Sequence, residues 1–211
     1  MKTYNNYTLI TENNINDVFD NMFKECKPFL NEWNNVMSHY LTEHNEEIFL
    51  TRGERHIEKQ IELRTRNKDR KPTDTPEEIH NYLNGKFMEK FDEKLRNSVF
   101  CIKELNGSGY GKNYIVIPKG EYKMFWNKKI HDLFYDIKQV YDISLRTIMW
   151  DEKYFETNTE KFERLIHDYN RVKLNEIFDH DRRLEISLIC DEYYLIDYNL
   201  KSKLIDKIYE L

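Results

Sequence analysis

The sequence predicts an α+β fold in one domain of 211 residues, with 1–45 as an N-terminal helical part and 46–211 as the core. Three observations carry that reading. Two amphipathic helical runs come first, short β-prone runs bounded by turn residues follow, and further helical runs are interspersed among them.

Ile15, Val18, Phe19, Met22 and Phe23 recur at helical spacing, and Pro28 separates them from a second such run of Phe29, Leu30, Trp33, Val36, Met37 and Tyr40. Ile48 to Thr51 is β-prone and delivers Arg52 to a strand end before Gly53. Thr75-Pro76-Glu77-Glu78 reads as a helix start, with threonine as the cap and proline at the first helical position. That helix would bury Ile79, Leu83, Phe87, Phe91 and Leu95. Ser98 to Ile102 and Tyr114 to Ile117 read as strands around the turn Asn106-Gly107-Ser108-Gly109, and Tyr122 to Trp126 as a third. Asn127 is placed to cap a helix through Ile130, Leu133, Phe134 and Ile137, and Glu160 to Tyr169 reads as another helix. Leu184 to Cys190 is a late strand, expected to pair with Tyr193 to Ile196 across Asp191-Glu192, and Leu200 to Tyr209 is a closing helix.

Hydrophobic content of 39% with only 6 Gly and 4 Pro excludes a disordered chain, and a net charge of −5 argues against a nucleic-acid coat protein. One basic stretch stands out, from Arg52 to Lys71, with its glutamates interleaved. A solvated helix face or loop accounts for it, and a nucleic-acid footprint is the competing explanation. The cysteines, Cys26, Cys101 and Cys190, are odd in number and far apart, so no disulfide framework is read from them and a reducing compartment is expected. Met1 to Asn6 carries no signal-peptide core, and no run of about eighteen apolar residues occurs. A cytoplasmic protein without a membrane span is therefore expected.

No metal site is predicted, because the histidines are scattered and no HExxH or Cys/His quartet exists. Gly107-Ser108-Gly109-Tyr110-Gly111 lacks the lysine and helix of a phosphate loop. What remains is a spaced set: Arg52 ending a strand, Ser98 entering another behind Arg96-Asn97, and Glu185 on the late strand. Taken singly, these suit a surface ion pair, a turn cap and a solvent-facing carboxylate. Glu185 is nevertheless unusual, since Leu184, Ile186, Leu188 and Ile189 surround it and a buried carboxylate is costly without a partner.

The order Ile48-Phe49-Leu50-Thr51-Arg52-Gly53, Arg96-Asn97-Ser98-Val99-Phe100 and Leu184-Glu185-Ile186-Ser187-Leu188-Ile189 resembles the arginine, serine and glutamate motifs of mono-ADP-ribosyltransferases of the R-S-E class, over residues 46 to 198. The runs Arg70 to Pro76 and Tyr110 to Pro118 are similar to proteins encoded by tailed phages. The resemblance implies a split β-sandwich with a helical insertion, binding NAD as substrate between two small sheets. It implies that Arg52 pairs with an NAD phosphate, that Ser98 holds the nicotinamide ribose and the glutamate in place, and that Glu185 stabilises the cationic sugar as nicotinamide leaves. Phe100, Tyr110 or Trp126 would stack on a base. Arginine-modifying members carry an acid two residues before the glutamate; Arg183 stands there, so another side chain, a nucleic acid or water is the expected acceptor. The implied activity is phage-encoded transfer of ADP-ribose to a host protein or nucleic acid in the host cytoplasm. The alternative is a non-catalytic phage protein that binds and inhibits a host defence protein.

Overall fold

The computed structural model describes residues 12–44, 47–55, 57, 59–71, 75–103, 111–144, 154–180 and 183–210. The two N-terminal runs form helices α1 (Glu12–Glu25) and α2 (Lys27–His44). Pro28 falls in the first turn of α2, where a missing N–H costs nothing, and the chain bends at Cys26 while Leu30 N still donates to the Cys26 carbonyl. Phe19, Met22, Phe29, Leu30, Trp33 and Met37 are wholly or almost wholly buried, as the periodicity requires.

The fold is α+β, built on one antiparallel sheet. Its strands are β1 (Leu50–Glu54), β2 (Ile61–Thr65), β3 (Val99–Lys103), β4 (Lys112–Lys119), β5 (Lys123–Asn127), β6 (Tyr169–Val172), β7 (Glu185–Ile189) and β8 (Glu192–Asp197), in the spatial order β2-β8-β4-β1-β3-β7-β5-β6. The remaining helices are α3 (Glu77–Phe91), α4 (Leu133–Tyr141), α5 (Tyr154–Thr157), α6 (Thr159–Asp168), α7 (Leu174–Phe178) and α8 (Lys201–Tyr209). One hydrophobic layer joins α1, α2, α7 and α8 to the sheet, and a second joins α3, α4, α5 and α6 to β5 and the end of β7.

Sequence neighbours are not always sheet neighbours. The late strand does not pair with Tyr193 to Ile196: β7 lies between β3 and β5, while β8 lies between β4 and β2. Likewise β3 and β4 do not form a hairpin, because β1 is inserted between them. Among the described residues β1 and β3 share two register pairs, Leu50 with Lys103 and Thr51 with Ile102. Beyond Thr51, β1 continues along β4 to Glu54, and β3 runs instead along β7. The ladder is thinnest there, with four strands on either side.

Several local expectations shift. Thr75 does not cap α3; Pro76 occupies the preceding position with no side-chain cap, and Asp92 in the left-handed conformation (φ 56°) ends the helix at Phe91. Leu95 is buried from a separate 3-10 turn, Leu95–Asn97. Asn127 ends β5 instead of capping a helix: its Oδ1 accepts from Lys129 N at 3.0 Å and its Nδ2 donates to the Tyr141 hydroxyl at 2.7 Å. The basic stretch contains an edge strand, β2, that alternation of charge with Ile61 and Leu63 conceals. Gly111 is needed by geometry, with φ +71° and a backbone so close to β1 that a Cβ would lie 2.7 Å from the Glu54 carbonyl oxygen. The turn Asn106 to Gly109, and Tyr110 with it, lies outside the described residues.

Candidate functional site

Antiparallel register decides which side chains can meet. Phe100 is opposite Ser187 and Ile102 is opposite Glu185, so both pairs share one face of β3 and β7. Ser98, extended at φ −76° and ψ 169°, precedes β3 in phase with Phe100. Val99, Cys101, Ile186 and Leu188 face the other way, into the layer under α1 and α2. Thr51, Ile102 and Glu185 consequently stand in one row across β1, β3 and β7.

Glu185 opens β7 with its side chain only 14% exposed. Burial pushes its carboxyl group above the usual carboxylate range, against the pull of Arg96, while Asp132 adds to the rise and the Leu133 backbone and Arg70 oppose it. Arg96 Nη1 lies 3.4 Å from Glu185 Oε1, a loose contact for opposite charges. The Arg96 guanidinium also sits 4.6 Å from the Phe100 ring centroid, and that of Arg70 4.9 Å from the same centroid. Two buried polar atoms here, Arg96 Nε and Ser98 Oγ, have no hydrogen-bond partner.

The 3-10 turn that presents Arg96 and Ser98 is clamped from α3. Arg96 N donates to Asn84 Oδ1 at 2.9 Å, which orients the Asn84 amide so that its Nδ2 donates to Asn97 Oδ1 at 3.0 Å. Asn97 Nδ2 donates to the Lys68 carbonyl, so Asn97 Oδ1 must also be the acceptor facing His80 Nε2 at 2.9 Å. Asn84 Nδ2 also lies 3.0 Å from His80 Nε2, so this nitrogen faces an acceptor and a donor at once, and burial, reinforced by Arg96 and Arg70, holds the His80 pKa below the ordinary histidine value. Beside the clamp is a pocket of about 400 Å³ whose lining includes Arg70, Lys71, His80, Lys94 and Asn97. His80 and Asn84 were missed from sequence; their signal is two polar residues one helical turn apart within the apolar stripe of Ile79, Leu83 and Phe87.

Arg52 is placed differently. Its Nε is paired with Glu54 Oε1, and its Nη1 reaches the Phe100 carbonyl at 3.5 Å. No hydrogen bond or ion pair joins it to Ser98, whose Oγ is unpartnered, or to Glu185, whose charged contact is Arg96. Register aligns Thr51, one residue earlier, with Glu185. Phe100 is half-buried beneath its two arginines. Trp126 is 2% exposed in the layer with α1 and α2.

The rest of the basic stretch is largely engaged. Arg64 faces Glu54 and Glu62 at 3.5 Å each, Lys68 pairs with Asp191 at 2.6 Å, and Arg66 Nε donates to the Cys190 carbonyl at 2.8 Å. A wider cleft of about 1210 Å³ between α2 and the β5–β6 edge includes Arg66 and Cys190 but none of Arg52, Ser98 or Glu185. All three cysteines are free and buried, and burial raises their thiols to about 12. Among the described residues no cluster of three or more His, Cys, Asp or Glu side chains suits a metal, and no helix is long and apolar enough to cross a membrane. Compared with protein families, with curated proteins and with solved structures, the chain matches none.

Proposed function

We propose that this protein is an NAD-dependent ADP-ribosyltransferase, encoded by a phage and acting on a host protein or nucleic acid in the host cytoplasm. The observation that carries the reading is a nearly buried carboxylate, Glu185, against an arginine with an unsatisfied buried Nε; its strand β7 is separated from the β1 that bears Arg52 only by β3, which Ser98 precedes. The thin β1–β3 joint supports it too, since it divides the ladder into two four-stranded halves as a split sandwich requires. Buried donors without partners fit a ligand rich in hydroxyl and phosphate oxygens.

In this reading Glu185 accepts a hydrogen bond from a ribose hydroxyl and offsets the positive charge that develops on the sugar as the bond to nicotinamide breaks. Ser98, four residues before the Ile102 that faces Glu185, would hold the far side of the ribose. Arg52 would have to release Glu54 to meet a phosphate, and Phe100 would meet a base only where Arg70 and Arg96 leave its ring. Tyr110, the other expected contact, lies outside the described residues. Arg183 in place of a second acid favours an acceptor other than arginine.

The test is to incubate the protein with NAD and bacterial lysate, following free nicotinamide and mass additions of one ADP-ribose. Glu185→Gln is expected to lower release on the order of a hundredfold. Equal release from wild type and variant removes Glu185 from the mechanism. Failure of NAD to bind moves the reading to the non-catalytic host-binding protein.

A further inference from the structure

We propose that Arg70 and Arg96, stacked on Phe100 beside Ser98, form a phosphoryl-binding site, and that filling it draws Arg96 off Glu185. The identification of the phosphoryl group as the pyrophosphate of the dinucleotide rests on the reading above.

The argument begins with charge. Two guanidinium groups lie within 5 Å of one ring centroid, 4.6 Å for Arg96 and 4.9 Å for Arg70. The carboxylate in contact with Arg96 is Glu185, and that contact is 3.4 Å long where a charged hydrogen bond is ordinarily about 2.7–2.9 Å. Arg96 is thus held mainly by ring stacking, with Nε buried and unsatisfied. Ser98 Oγ, on a residue 96% buried, is likewise unsatisfied. Buried donors without acceptors are rare in folded chains because each costs the desolvation of its group. A tetrahedral phosphoryl group supplies what is missing here: several acceptor oxygens and negative charge, matched to the guanidinium fork.

Arg52 is the weaker phosphate ligand in this arrangement, being already committed to Glu54 and the Phe100 carbonyl. Arg96 therefore has two alternative partners. Without ligand it lies against Glu185 and blunts its charge; with a phosphoryl group bound to Nε and the outer nitrogens it leaves the carboxylate facing the sugar. Binding and arming of the site are then one event, with the 3-10 turn fixed by Asn84 and Asn97 as its pivot.

Calorimetric titration with inorganic pyrophosphate, on the full chain, tests this. Saturable binding is expected, weakened about tenfold or more in Arg96→Gln and in Arg70→Gln. Arg96→Lys should bind less tightly than wild type but better than Arg96→Gln, because the charge remains and the fork does not. Exposed Lys59→Gln should bind like wild type. Circular dichroism confirms folding of each variant, and Arg70→Gln serves if Arg96→Gln does not fold. Absence of saturable binding, or equal binding by wild type and both glutamine variants, overturns the site. The two readings separate cleanly. Pyrophosphate binding that depends on Arg96 and Arg70, without nicotinamide release, keeps the anion site and removes the transferase. Glu185-dependent release with an NAD KM unchanged in Arg96→Gln keeps the transferase and removes the anion site.

Discussion

Asn97→Ala should destabilise the protein by about 3 kcal/mol, a figure that follows from the hydrogen bonds the amide makes. Asn97 Oδ1 accepts from Asn84 Nδ2 at 3.0 Å and lies 2.9 Å from His80 Nε2, while Nδ2 donates to the Lys68 carbonyl. All three side chains are buried, Asn97 at 5%, Asn84 at 6% and His80 at 4% exposure. Alanine removes the acceptor of Asn84 Nδ2 and the donor to the Lys68 carbonyl, two groups each worth about 1–3 kcal/mol when stranded, and the midpoint of that range for each, less some relaxation, gives about 3 kcal/mol. For a chain of this length the melting temperature should fall by about 6–12 °C. Urea unfolding followed by tryptophan fluorescence measures the loss, with Asn81→Ala, on the exposed side of α3, expected within about 0.5 kcal/mol of wild type. A loss below about 1 kcal/mol for Asn97→Ala would mean that the amide network is not the clamp, and the fixed position of Arg96 and Ser98 would lose its cause.

Three further outcomes follow from the same structure. Glu185 has a raised pKa in the folded chain, so between its unfolded value of 4.5 and the folded one the native state keeps a proton that the unfolded chain has released, and stability falls as pH rises. Glu185→Gln should therefore melt higher than wild type at neutral pH and equal to it below about pH 4, and a lower melting point at neutral pH would refute the burial argument. His80 has a lowered pKa, so the unfolded chain takes up protons first as pH falls through 6.5, and stability is lost on acidification. Denaturant midpoints at about pH 7.5 and about pH 5.5 should fall further for wild type than for His80→Gln. Gly111→Ala meets both a positive φ and a backbone oxygen at 2.7 Å, whereas Gly120→Ala meets positive φ in open space. The second should cost about 1 kcal/mol and the first clearly more, and equal costs would show that β1 and β4 can move apart locally.

The longer helices were legible in the sequence because their periodicity is strong, Ile15 to Tyr40 and Ile79 to Phe87 predicting their buried faces, whereas short α5 and α7 were not, and Tyr169, read as helical, opens strand β6. Most strands were legible individually, but their partners were not. Nothing local distinguishes a hairpin from two strands with a third inserted, so β3–β4 and β7–β8 were paired by proximity along the chain, and the structure separates both. Edge strand β2 was hidden because an exposed strand carrying Glu62 and Arg64 has the composition of a loop. Glu185 was detectable as a carboxylate in an apolar run. Its association with Arg96 was not, since a contact between residues 89 apart depends on the register of β3 with β7.

The thin joint between β1 and β3 gives one residue of the basic stretch, Arg52, its place. Where β1 leaves β3 after Thr51, the strand-edge carbonyl of Phe100 loses a ladder partner, and Arg52 Nη1 takes that place at 3.5 Å. Between the ends of β7 and β8 Arg66 serves carbonyls more tightly, with its backbone N–H on the Asp191 carbonyl at 2.8 Å, Nε on the Cys190 carbonyl at 2.8 Å and Nη1 near the Asn97 carbonyl at 3.5 Å. Arginines suit this role because a long stem and a fork of donors can reach acceptors that no neighbouring strand can serve. Within residues 52 to 71, Arg52 and Arg66 thus serve backbone carbonyls, Arg64 and Lys68 pair with acids, and Arg70 reaches the Phe100 ring.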